Sequence, residues 1–91
     1  MTPPSAEQVR RFLVAKYDER IKGVGIDPAA VPDDFDLLLR GVIDSFGILE
    51  MISAIEAEFG IELDLENLDA EQMTIVGPLS RFVAEHCEAR S

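Results

Sequence analysis

Few residues of this 91-residue chain have side chains able to act on another molecule. His86 and Cys87, its only histidine and only cysteine, set a base beside a thiol. A nucleophile and its base must lie within hydrogen-bond reach, with a third group orienting the base. Both residues fall in the last expected helix, where neighbouring side chains diverge by about 100°, so they read as a helix-end histidine and a structural thiol. Asp33-Asp34-Phe35-Asp36 resembles a metal loop only superficially. It lacks the Asp-x-Asp-x-Asp-Gly spacing of a calcium loop and reads as surface acids. There remains Ser45, within Gly41-Val42-Ile43-Asp44-Ser45-Phe46-Gly47. Here a serine stands where a long loop runs into a helix, with an acid before it and glycines nearby, so its hydroxyl is expected to be exposed. Taken alone, it reads as a helix N-cap. No catalytic constellation emerges, and the chain is not expected to be an enzyme.

The elements that position Ser45 follow from capping and periodicity. Ser5-Ala6-Glu7-Gln8 has the form of a capping box, and Val9, Phe12, Leu13, Tyr17 and Ile21 recur at helical spacing up to Gly23, predicting a helix over about 6–22. Residues 23–43 hold Gly23, Gly25, Pro28, Pro32 and Gly41 yet also many apolar side chains, which predicts an ordered, packed loop. Asp44 or Ser45 can cap a second helix ending at Phe59, with Gly60 just past its end. On that helix Ile48, Met51, Ile52, Ile55 and Phe59 share one stripe about 100° wide, the expected core face. Phe46 and Leu49 lie on the opposite side among Glu50, Ser53 and Glu56. An apolar pair inside a polar rim there suggests a docking surface. Ile61, Leu63, Leu65 and Leu68 alternate as a strand would, but no second strand-like run is visible to pair with them, so no strand is expected. Asp69–Met73 reads as one capped helical turn. Thr74 is then expected to cap a final helix over about 75–88, with Pro78 in its first turn and Val76, Leu79, Phe82 and Val83 inward. Phe12, Ile52, Ile55, Phe59 and Phe82 are expected to share the core. The expected fold is all-α: a small four-helix bundle with three main helices, one short helix and a long ordered loop between the first two. One domain is expected over 1–91, its ordered core spanning about 5–88.

Composition narrows the function classes. Apolar residues make up 47% and charged residues 29%, as in a globular protein, and no apolar run approaches the roughly 20 residues that span a bilayer. Met1-Thr2-Pro3-Pro4-Ser5 has neither the basic lead nor the apolar run of a secretion signal, so a cytoplasmic monomer is expected. A formal charge of −10 argues against nucleic acid as a partner. Five of the eight basic residues (Arg10, Arg11, Lys16, Arg20, Lys22) precede residue 23, whereas nine acids and no Lys or Arg lie between Gly41 and Ser80. Such a one-signed field suits steering toward basic partners as well as solubility.

Asp44-Ser45-Phe46, preceded by Gly41-Val42-Ile43 and followed by Leu49-Glu50-Met51-Ile52, resembles the phosphopantetheine attachment region of acyl and peptidyl carrier proteins. Asp36-Leu37-Leu38 upstream, Glu56-Ala57-Glu58-Phe59-Gly60-Ile61 at the end of the helix and Leu68–Val76 downstream extend the resemblance over nearly the whole chain. It implies that Ser45 takes a 4′-phosphopantetheine arm from coenzyme A through a phosphopantetheinyl transferase using Mg²⁺, with Asp44 assisting the helix N-terminus and the transferase contact. The arm's thiol would then carry acyl groups as thioesters. Further implied partners are an acyl- or aminoacyl-loading ligase or acyltransferase, and synthase or tailoring enzymes with basic surfaces that meet Phe46, Leu49, Glu50, Ser53 and Glu56. Phe46 in place of the commoner leucine, Gly47 in place of an acid and Ser53 in place of an apolar residue point to a stand-alone carrier of a specialised fatty-acid or polyketide pathway. A peptidyl or aminoacyl carrier loaded by an adenylating ligase shares the motif. A helical interaction domain in which Ser45 is only a cap is the other reading.

Overall fold

Ser5 starts the first helix as its sequence predicts: its Oγ accepts from the Gln8 N–H at 3.1 Å, and Gln8 Oε1 accepts from the Ser5 N–H at 2.8 Å. This computed structural model describes residues 3–69 and 71–89. Met1-Thr2 of the N-terminal stretch, Ala70 of the expected short turn, and Arg90-Ser91 lie outside them. The helix expected over 6–22 is two segments, α1 (Ala6–Lys16) and α2 (Asp18–Gly23), broken at Tyr17 with φ −108° and ψ 20°. The Tyr17 N–H still donates to the Leu13 carbonyl at 3.1 Å, and the Ile21 N–H to that of Tyr17 at 2.9 Å. Apolar spacing therefore runs through the break unchanged, and Val9, Leu13, Tyr17 and Ile21 are all buried. Asp18 and Glu19 then occupy the first turn of α2, where a helix N-terminus favours acids.

The central helix, α3, spans Ser45–Phe59, and Gly60 closes it at φ 62°, a left-handed conformation that costs glycine little. Met51, Ile52 and Ile55 are buried, and Ile48 and Phe59 are half-buried against the same core. The last helix, α4 (Val76–Glu85), ends three residues before its expected limit and packs chiefly on α1. Val76, Leu79 and Val83 are buried as expected. Phe82 is not part of the core: it is half-exposed and stacks on His86, ring centroids 4.8 Å apart. The four-helix, all-α class stands, with the short helix being α2. The helical turn expected over Asp69–Met73 is not a helix at its described residues 71–73, where the Asp69 carboxylate accepts from the Glu71 N–H at 2.9 Å and the Asp69 carbonyl from the Gln72 and Met73 N–H groups at 3.0 Å.

The long loop is ordered, burying Val31, Phe35, Leu37, Val42 and Ile43. It also performs the capping expected of Thr74. The Val76 and Gly77 N–H groups at the start of α4 donate to the carbonyls of Phe35 (2.9 Å) and Asp33 (2.8 Å), so the loop backbone satisfies orphan donors. Thr74 itself is buried, and its hydroxyl donates to Asp36 Oδ1 at 2.7 Å. The same oxygen accepts from the Leu38 and Leu39 N–H groups. Asp33 pairs with Arg10 (3.6 Å) and Arg81 (3.2 Å). Asp33 and Asp36 are thus fastenings between the loop and the helices, not merely surface acids.

Ile61–Leu63 does form a strand, β1, contrary to the sequence expectation. Its partner is β2 (Cys87–Ala89), antiparallel, with Leu63 opposite Cys87. Cys-Glu-Ala carries no strand pattern, so the pairing arises only because α4 returns the chain beside β1. Ile61 and Leu63 face inward and Glu62 outward. His86 and Cys87 consequently lie beyond α4, one stacked on Phe82 and the other in the ladder. No described helix is long and apolar enough to cross a membrane.

Candidate functional site

At the start of α3 the backbone leaves the loop at Asp44, which is extended (φ −106°, ψ −176°), and Ser45 is the first helical residue. Asp44, not Ser45, is the N-cap: its Oδ1 accepts from the Gly47 N–H at 2.7 Å. A Cβ at position 47 would lie 3.2 Å from Ile43 Cβ and 3.3 Å from Asp44 Oδ1, a tight fit that these neighbours would have to relieve by a few tenths of an ångström. Ser45 is exposed and free of capping duty, so its hydroxyl is open to a partner. That arrangement fits covalent attachment, which requires a reachable oxygen on a backbone held firmly from beneath. Asp44→Ala is expected to lower stability by about 1 kcal/mol by removing the cap, measured by denaturant unfolding. A change under about 0.3 kcal/mol would show that the Asp44 carboxylate does not hold the helix.

The structure brings together residues on either side of Ser45 with others that the sequence did not connect to it. A cleft of about 430 Å³ runs between Lys16, Tyr17 and Arg20 on one wall and Asp44, Phe46 and Glu50 on the other. Lys16 Nζ lies 3.3 Å from Glu50 Oε1, and Arg20 Nη1 donates to the Val42 carbonyl at 3.0 Å, fastening the first helical segments to the α3 approach. Tyr17 is buried with its hydroxyl unpartnered among the described residues. Burial pushes its pKa above the ordinary tyrosine value, the Glu50 carboxylate adds to the rise and Arg20 opposes it. The only signal for this wall in the sequence was the basic bias of the first quarter of the chain, which says nothing of what it faces.

The outward face of α3 presents Phe46 and Leu49, 87% and 67% exposed, with Glu50 and Ser53 exposed beside them. The helical phase read from the sequence therefore separates core from surface as expected. Glu56 differs from its neighbours: it is half-buried, and its Oε2 accepts from the Leu63 N–H at 3.0 Å, tying α3 to β1. Glu50, paired with Lys16, is the more open of the two charges.

The family model described as the phosphopantetheine attachment site matches residues 21–77, well over half of the chain, a span that includes the loop, Ser45 and all of α3. No solved structure gives a significant match.

Proposed function

Because the chain belongs to the phosphopantetheine attachment-site family, whose members carry a covalent 4′-phosphopantetheine, we propose that it is an acyl carrier protein with Ser45 as the attachment residue. The observation that carries this reading is Ser45 itself: exposed, first in α3, and relieved of capping by Asp44. Ser45 Oγ would attack the β-phosphate of coenzyme A, the Ser45 O–P bond forming as the phosphoanhydride bond breaks and adenosine 3′,5′-bisphosphate leaves, and because an ordinary serine hydroxyl is a weak nucleophile, removal of its proton falls to the partner transferase. Asp44 keeps the first turn of α3 in place while this occurs. When attached, the arm supplies the terminal thiol that holds acyl groups as thioesters, so Cys87 has no part in the chemistry.

Phe46 and Leu49 form the apolar centre of the docking face, Glu50 and Ser53 its rim, and Glu56 its structural end. The partners of this cytoplasmic carrier are a phosphopantetheinyl transferase, an acyl-loading ligase or acyltransferase, and synthase or tailoring enzymes with basic surfaces. An exposed apolar anchor acts mainly on dissociation, so Leu49→Ala should release the transferase about tenfold faster without changing thermal unfolding. Unchanged release measured by stopped flow would remove this face from the interface. The acyl assignment is tested by offering the arm-bearing protein to acyl-loading and aminoacyl-adenylating enzymes and reading intact mass. Loading by the latter alone makes it an aminoacyl carrier.

A further inference from the structure

The stretch of loop that leads into α3 takes its shape from one carboxylate. The Arg40 N–H donates to the Asp36 carbonyl at 3.0 Å, the spacing of one α-helical turn. Asp36 Oδ1 caps that turn, accepting from the Leu38 N–H at 3.0 Å and the Leu39 N–H at 3.1 Å, and it takes a third bond from the Thr74 hydroxyl at 2.7 Å. Gly41, at φ 79°, closes the turn in the left-handed region. Its N–H donates to the Leu38 carbonyl at 3.1 Å and the Val42 N–H to the Leu37 carbonyl at 2.8 Å, the bond pattern of a glycine-terminated helix. The Leu37 carbonyl also accepts from the Ile43 N–H at 3.1 Å, so the chain enters α3 hung from Leu37, whose own N–H is held by the Thr74 carbonyl at 2.8 Å. Asp44 and Ser45 follow directly. A single turn fixes several dihedrals for very few intrahelical bonds and does not hold itself, so its cap and its anchor decide whether it persists.

We propose that Asp36 is a positioning residue for arm attachment: by capping this turn and bonding Thr74, it fixes where Ser45 is presented to the transferase. The inference rests on the carrier reading with Ser45 as the attachment residue. The link runs from the Asp36 cap through the turn and the Leu37 carbonyl to Ile43, and its far end is buried Thr74, a fixed reference shielded from competing water. The bonds that the Asp36 side chain accepts among the described residues all fall on Oδ1, an oxygen that asparagine retains, so the geometry uses an acceptor and not a charge. An attacking oxygen must come within about 3–3.5 Å of the reacting atom, and misplacement by about 1 Å can cost about a hundredfold in rate. Arg20 holds the same stretch through the Val42 carbonyl at 3.0 Å, so losing Asp36 loosens the entry to α3 without releasing it. A smaller effect is therefore expected.

The test follows loading from coenzyme A by a broad-specificity transferase, read by intact mass over a range of carrier concentrations at a temperature where circular dichroism shows each variant folded. Asp36→Ala should lower kcat about tenfold and change KM by less than about twofold, because the docking face on α3 is kept and only the reacting oxygen is displaced. Asp36→Asn, which keeps the acceptor, should load within about twofold of the parent. Thr74→Val, a near-isosteric loss of the hydroxyl, should lower kcat about threefold, and Thr74→Ser should restore it. It also decides the question should Asp36→Ala fail to fold. Ser5→Ala weakens the fold by removing the α1 cap and should load as the parent does. Parent-like kcat in Asp36→Ala and Thr74→Val, a loss confined to KM, an Asp36→Asn as slow as Asp36→Ala, or an equal loss in Ser5→Ala would each overturn the positioning role and leave the carrier reading intact. A parent that takes no arm overturns the carrier reading itself.

Discussion

Ser45→Ala is expected to abolish uptake of the phosphopantetheine arm while leaving the fold as stable as the parent. Incubated with coenzyme A and an active transferase, the parent should gain the mass of one arm and the variant none. The two halves of this expectation have different origins. From sequence, Ser45 was itself a candidate cap, and its loss threatened about 1 kcal/mol of stability. The structure gives the cap to Asp44 and leaves Ser45 exposed at the first helical position, where alanine is a good substitute, so unfolding should shift by less than about 0.5 kcal/mol. Loss of loading therefore cannot be ascribed to unfolding. Other serines provide an internal control: Ser80 is buried with its hydroxyl on the Val76 carbonyl, and Ser5 caps α1, but Ser53 is exposed on α3. An adduct on Ser45→Ala would move the attachment elsewhere, with Ser53 the first place to look, and an unmodified parent would defeat the proposed function.

Ile55→Ala is expected to destabilise the domain far more than Phe59→Ala, although phenylalanine is the larger side chain. Ile55 is fully buried near the middle of α3, and removing a buried isoleucine to alanine typically costs about 2–5 kcal/mol, here placed at about 3–4. That is a large part of the roughly 5–15 kcal/mol that holds a small domain together. Phe59 is half-buried at the helix end, its ring 5.7 Å from that of Phe12 at 73°, an edge-to-face contact. Full burial would place its loss at about 3–5 kcal/mol, whereas half-burial with one aromatic contact lowers the expectation to about 2. Urea unfolding of both variants checks the order. A larger loss at Phe59 would mean that the core is centred nearer the C-terminal end of α3 than its burial indicates.

Both expectations draw on what could be read without coordinates and what could not. α3 was legible end to end, because its signals are local. An acid and a serine begin it, a 3.6-residue apolar repeat phases it, and a glycine closes it in the left-handed region. The same repeat placed Phe46 and Leu49 on the surface, since the direction of a helical side chain follows from its position in the turn. The attachment motif is local too, so Ser45 stood out. Tertiary structure decided the interactions between segments distant in sequence. The partner of β1 is a Cys-Glu-Ala segment with no strand pattern, brought alongside by α4. Thr74 turned from a cap into a partner of Asp36, 38 residues away, because the loop backbone had already satisfied the start of α4. Phe82 has the right phase for the core, yet α4 ends close enough to the edge for its ring to meet His86 instead. The wall of Lys16, Tyr17 and Arg20 meets Asp44, Phe46 and Glu50 only after the chain bends at Tyr17 and the long loop closes on α2. Local conformational preferences act over a few residues and leave periodic marks, but the meeting of distant segments depends on how the whole chain fills its core, and no short window of sequence records that.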